Sequence, residues 1–192
     1  MKIIIGFCLA LLLLQSCNSS PKKEKEPVKV GVEVVEEPSF FPVTDYINGQ
    51  IREIQVNPIR YVTIKGHTDS SWLQVEQFNE AFSDFTHPRI DSLNLVPWFK
   101  ETRFMDKTVD AFTFTYEPFG AVPDSLQLQR WDVYVDPKTE KVRRIFLVKS
   151  AGQNKTRQLT WQGGKWCKIV DIIHKTDGTS EVEKEIKISW DF

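Results

Sequence analysis

From Ala111 onward the sequence alternates with a period of two, and no other feature limits the possible folds as much. Phe112, Phe114 and Tyr116 alternate with threonines, and five further strand-like runs follow at 126–135, 141–149, 155–161, 165–175 and 181–190. Alternation sends successive side chains to opposite faces, so each run can bury one face in a sheet. Short turn signals separate several of the runs, which argues for an antiparallel meander and against parallel βαβ units. No internal repeat at solenoid or propeller spacing is evident.

The turns predict register. Asp177-Gly178 is a strong two-residue hairpin signal, because both central positions of a type I′ turn need positive φ. Counting outward from it pairs Ile173 with Val182, Ile169 with Ile186 and Cys167 with Ile188 on one face, the expected core. The other face receives Lys168, His174, Glu181, Glu183, Glu185 and Lys187, together with Trp166, Val170 and Ile172. At the preceding turn, a two-residue Gly163-Gly164 loop would bring Thr156, Gln158 and Thr160 to the core. A three-residue loop, Gln162-Gly163-Gly164, instead places Leu159 beside Cys167, and it is the loop expected here.

Ahead of this region the period is helical. Tyr46, Ile47, Ile51 and Ile54, bracketed by Pro42 and Pro58, predict a helix over 43–56 despite Gly49, and a strand over 59–66 follows. Ser71 with Gln74 forms a capping-box pattern before Val75, Phe78, Phe82 and Phe85, which share one face of a helix predicted over 72–85. A short helical turn is expected over 94–100, around Pro97. Helices first and strands later give an α+β class, with the N-terminal helices packed on one face of an antiparallel meander sheet in a single domain, 39–192.

The first residues are of another kind. Lys2 precedes an apolar run of 12 residues, Ile3 to Leu14. A bilayer span needs about 20 apolar residues, whereas a signal-peptide core needs about 7 to 15. Leu14-Gln15-Ser16-Cys17 then resembles the lipobox of bacterial lipoproteins, with Gln15 departing from the small residue usual at its place. The resemblance implies a signal peptide over 1–16, diacylglycerol (and commonly palmitate) on Cys17, and an anchored chain, because more than one acyl chain makes a lasting attachment. Residues 17–38 form the lipidated cysteine and a tether rich in charge and proline, expected to be disordered. The partly alternating valines Val28, Val30, Val32, Val34 and Val35 leave a short edge strand there as the alternative.

Little in the domain announces chemistry. Removal of Lys2 with the signal leaves 24 basic against 26 acidic side chains, with no basic footprint for nucleic acid. Cys8 leaves with the signal and Cys17 is acylated, so Cys167 has no partner for a disulfide and reads as a small core hydrophobe. His67, His87 and His174 lack a second histidine or cysteine at metal-ligand spacing, so neither a metal nor a cofactor is expected. His67-Thr68-Asp69 is the nearest thing to a site, and His174 is expected to face Glu181 across the hairpin. No nucleophile elbow, phosphate loop or zinc helix motif is present, and no catalytic residue is assigned.

Six tryptophans remain to be explained. Trp131 shares a strand face with Val133 and Val135, and Trp190 continues the face of Ile186 and Ile188, so both belong to the core. Trp166 points away from it, and Trp98 lies in a proline-containing connection. Trp98, Trp166, Val170 and Ile172 therefore form the candidate binding surface, the other reading being that a covering segment packs on them.

The lipobox, the acid-and-lysine tether and Trp131-Asp132-Val133-Tyr134-Val135-Asp136-Pro137 look like the small uncharacterised lipoproteins of Bacteroidota. That resemblance implies an outer-membrane lipoprotein and brings no activity with it. Asn18-Ser19-Ser20-Pro21-Lys22-Lys23, in place of early acidic residues, favours the periplasmic side. Two functions follow as expectations: a non-catalytic binding or assembly module for an envelope protein or an apolar ligand, or an envelope hydrolase assembled from dispersed residues. A cleft joining His67 or His87 to two acids would favour the hydrolase.

Overall fold

A computed structural model describes residues 39–54, 60–64 and 68–190, of which 60–64 and 68–70 by backbone alone. Cys17, the tether with its alternating valines, and His67 lie outside the described residues. Seven consecutive strands pair antiparallel in chain order: β3 (Phe99–Asp106), β4 (Ala111–Pro118), β5 (Leu128–Val135), β6 (Val142–Ser150), β7 (Lys155–Gln162), β8 (Trp166–His174) and β9 (Ser180–Ser189). A hairpin of β1 (Arg60–Ile64) and β2 (Thr68–Trp72) extends the sheet beyond β9, so the strand order runs β2-β1-β9-β8-β7-β6-β5-β4-β3. The helical turn predicted over 94–100 lies earlier, as α4 (Ser92–Leu95), and strand β3, which the sequence reading did not predict, begins within the last two residues of that range. Charged Lys100, Glu101 and Arg103 interrupt the apolar alternation that marks the other strands.

The β8–β9 hairpin holds two departures from expectation that cancel. Lys175 N–H donates to Thr179 O at 2.8 Å and Gly178 N–H to Lys175 O at 3.1 Å, with Gly178 at φ 85°, so the loop has three residues and not two. This is a tight turn followed by a left-handed glycine, the usual three-residue hairpin. Ile173 therefore faces Glu181, and Ile172 faces Val182, against the predicted Ile173–Val182 pair. A β-bulge between Asp171 and Ile172 leaves Glu183 without an opposite residue and restores the count. Ile169 faces Ile186 and Cys167 faces Ile188 as predicted. The preceding loop has three residues, one step later than expected: Gln162 faces Trp166, Trp161 faces Cys167, and Leu159 faces Ile169 in place of Cys167. A shift of two preserves parity, so Leu159 and Cys167 remain on the core face.

One sheet face carries the core in cross-strand rows. Ile145, Trp161, Cys167 and Ile188 stand opposite one another in one row, and Leu147, Leu159, Ile169 and Ile186 in the next. Trp131 lies flat on Tyr116, with ring centroids 4.5 Å apart. Cys167 is fully buried, and burial raises its thiol pKa well above the ordinary value.

The helical segments supply side chains to the same buried cluster. In α1 (Val43–Ile54), Val43, Ile47 and Ile54 are buried at helical spacing, while Asp45 in the first turn and Arg52 in the last complement the helix dipole. Tyr46 Oη donates to Val142 O at 3.3 Å, and a Cβ on Gly163 would lie 3.1 Å from both that hydroxyl and the Val142 carbonyl oxygen, so a side chain there would have to push them back by a few tenths of an ångström. The helix predicted over 72–85 is corrected. Residues 68–72 are strand, Val75–Gln77 form a 3₁₀ turn, and two short helices follow, α2 (Phe78–Ala81) and α3 (Ser83–Thr86). Ser83 Oγ donates to Glu80 O and Thr86 Oγ1 to Ser83 O, side-chain bonds that compete with the helical ladder. Capping occurs later than predicted, with Gln77 Oε1 accepting from Gln74 N–H at 2.9 Å. The predicted face survives the break in part: Phe78, Phe82 and Phe85 are buried, whereas Val75 is 51% exposed. Phe82 and Phe85 sit against Trp161 at centroid distances of 5.6 and 5.3 Å. Among the described residues no helix is long and apolar enough to cross a membrane.

Candidate functional site

The two faces of the sheet differ in chemistry, and each carries a candidate. On the core face, the row beyond Leu147, Leu159 and Ile169 is charged: Lys149 stands opposite Arg157, Arg157 opposite Asp171, and Asp171 opposite Lys184. Asp84 of α3 joins this row from the helical side. Arg157 Nη1 donates to both oxygens of Asp84, at 3.0 and 2.8 Å, and its Nε and Nη2 donate to the oxygens of Asp171 at 2.6 and 2.9 Å. The guanidinium thus clamps α3 to β8 by two forked pairs. Those bonds, led by the one to Asp171, raise the Arg157 pKa.

Lys149 is 6% exposed, and its ammonium donates to the carbonyls of Asp84 and His87 at the end of α3. Burial lowers its pKa from 10.5 to about 8, with nearby Asp84 acting against that shift. Beside it opens a cleft of about 650 Å³, lined by Ser83, Asp84, His87, Gln127, Lys149 and Arg157 among others.

The chemistry available there is limited. His87 Nδ1 lies 3.1 Å from Thr86 Oγ1 and 3.3 Å from Ser83 O, so its ring is turned towards its own helix end. The cleft wall offers His87 one acid, Asp84, whose two oxygens are both held by Arg157. Among the described residues that line the cleft no carboxylate is free to abstract a proton, and the lysine is held by two carbonyls. Among the described residues no group of three His, Cys, Asp or Glu side chains is placed to hold a metal ion. The network ties helix to sheet. Sequence reading missed it, although a signal existed: Lys149, Arg157 and Asp171 each occupy a core-facing place in the alternation of their strands.

On the opposite face lie Trp166, Lys168, Val170 and Ile172 of β8, Arg144, Phe146 and Val148 of β6, and Tyr134 of β5, all partly exposed. Among the described residues, the contacts on this face run between sheet residues. Lys187 Nζ sits 5.3 Å from the Trp166 ring centroid, Arg144 lies over Tyr134 at 4.2 Å, and Lys168 pairs with Glu185 at 3.1 Å. His174 is corrected: its ring contacts Ser180 Oγ at 2.9 Å and Thr156 Oγ1 at 2.8 Å, while Glu181 pairs with Lys175 at 2.6 Å. Of the predicted surface residues, Trp166, Val170 and Ile172 share this face. Trp98 does not join them: it precedes β3 and packs against the core cluster. Strands β3 and β8 are five spacings apart in the strand order, roughly 24 Å along the sheet.

No protein-family model matches the chain, no curated protein matches its sequence, and no solved structure matches its fold.

Proposed function

We propose that this chain is a lipid-anchored, non-catalytic binding or assembly module of the bacterial envelope, a lipoprotein of the Bacteroidota type. In this reading Cys17 holds it on the outer membrane facing the periplasm, the helical segments close one face of the sheet, and the other face meets the partner. The observation that carries the reading is the set Trp166, Val170 and Ile172, left partly exposed on the face opposite the core. A monomer gains nothing by leaving apolar side chains together in water. The face is broad and bears Thr156, Gln158 and Thr160 between its aromatic and basic side chains. Such a surface suits a protein partner better than a small molecule, which needs a concave and mostly apolar site.

Trp166→Ala tests the reading. A recognition anchor loses about 2 kcal/mol or more of binding, roughly 30-fold in capture from native membranes, with the melting temperature unchanged. A stability loss of about 3 to 5 kcal/mol would instead make Trp166 a packed core residue. An unchanged fold with unchanged capture removes Trp166 from the surface.

A further inference from the structure

Among the described residues strand β3 ends the sheet, pairing with β4 on one side only, and it has eight residues without proline. The strand at the other end, β2, has five. Short length is one way proteins blunt an edge, because an edge presents unpaired backbone donors and acceptors as a template for another strand. β3 is not blunted in this way, and it carries exposed apolar side chains: Phe104 is 47% and Met105 38% exposed, with Phe112 opposite Met105 at 48%.

The order of residues along this edge suits one occupant. Pairing with β4 puts Glu101 opposite Tyr116 and Met105 opposite Phe112, so Phe99, Glu101, Arg103 and Met105 share the core face, while Lys100, Thr102, Phe104 and Asp106 share the other. Two copies of β3 related by a twofold axis normal to the sheet keep core face beside core face only when the centre of pairing falls on a residue. Centred on Glu101, the pairing sets glutamate against glutamate. Centred on Arg103, it sets arginine against arginine. Centred on Thr102, it sets Glu101 against Arg103 twice, Lys100 against Phe104 twice and Phe99 against Met105 twice. Like charges directly opposite destabilise a sheet pair and opposite charges stabilise it. Glu101 and Arg103 pair within one chain, so their charged groups stand side by side on the core face at this edge.

We propose that β3 pairs with β3 of a second copy, antiparallel and centred on Thr102, so that two sheets join edge to edge. The contact uses neither face of the sheet and stands apart from the reading of Trp166. One strand pair is small beside a standard protein interface, so the association is weak and is best trapped covalently.

The test is disulfide trapping of the full chain in native membranes under mild oxidant, with the wild-type chain and its Cys8, Cys17 and Cys167 as the blank. Two Thr102 Cα atoms facing across an antiparallel pair are about 4.5 to 5.5 Å apart, within disulfide reach. Thr102→Cys gives a dimer on a non-reducing gel. Lys100 lies four residues out of register with its symmetry mate, roughly 13 Å away, so Lys100→Cys and Phe104→Cys alone stay monomeric. The double variant Lys100→Cys with Phe104→Cys crosslinks again, because those two positions face each other. A monomeric Thr102→Cys, its capture of a different polypeptide, or equal dimerisation of Lys100→Cys overturns the proposal.

Discussion

At the scale of single residues, the charged row on the core face sets the most direct expectations. Arg157 holds Asp84 and the buried Asp171, and truncation leaves the latter without a partner. Breaking a fully buried pair costs about 3 to 5 kcal/mol; with the Arg157 side chain 32% exposed, Arg157→Ala should cost about 2 kcal/mol, read from urea unfolding. Lys149 sets a pH dependence. Its pKa is about 8 in the fold against an ordinary 10.5, so between these values the unfolded chain keeps a proton that the folded chain has released. Its contribution to stability therefore rises with pH from about 8 upward. Cys167 works in the opposite sense: its thiol stays protonated in the fold while the unfolded thiol ionises near 9.0, so its contribution falls as pH passes that value. Lys149→Met separates the two. The stability of wild type relative to this variant should increase between pH 8 and 9.5, and a flat difference refutes the assignment.

At the scale of elements, the β8–β9 hairpin shows how two local features fix a face together. The three-residue loop moves the pairing by one, and the bulge at Glu183 moves it back, so Ile186 and Ile188 reach the core. Deleting Glu183 should straighten the ladder without moving any core residue towards solvent. What is lost is its ion pair with Lys155, at 2.8 Å and more than a third exposed, worth under about 1 kcal/mol. A melting temperature close to wild type is the expected result, and an unfolded variant would show that the bulge is needed for more than parity. Hydrophobic spacing revealed the buried phenylalanines between 72 and 85 but not the break among them, because hydroxyl groups bonding to the backbone compete with the helix without altering its apolar pattern.

At the scale of the whole molecule, anchoring and recognition belong to separate parts of the chain in the proposed reading. In that reading the apolar run ending at Leu14, shorter than the roughly 20 residues a bilayer span needs, is a signal-peptide core, and Cys17 is the acylated residue. Cys17→Ser should therefore release the protein from membranes. Full retention of that variant in high salt would refute the lipoprotein reading.

By itself the sequence determined the antiparallel meander from β4 to β9 and the faces of Leu159, Cys167, Ile169, Ile186 and Ile188, because alternation is a local property of a strand. It also separated the two faces well enough to set Trp166, Val170 and Ile172 together. Only the tertiary structure decided that Trp98 stands apart from them, since the distance between β3 and β8 is a sum over strand pairings that no local pattern carries. It likewise decided the fate of Lys149, Arg157 and Asp171. A charge at a core-facing place reads locally as an exception, and it becomes a clamp only when Asp84, arriving from a helix far back in the chain, supplies the opposite charge that makes burial tolerable.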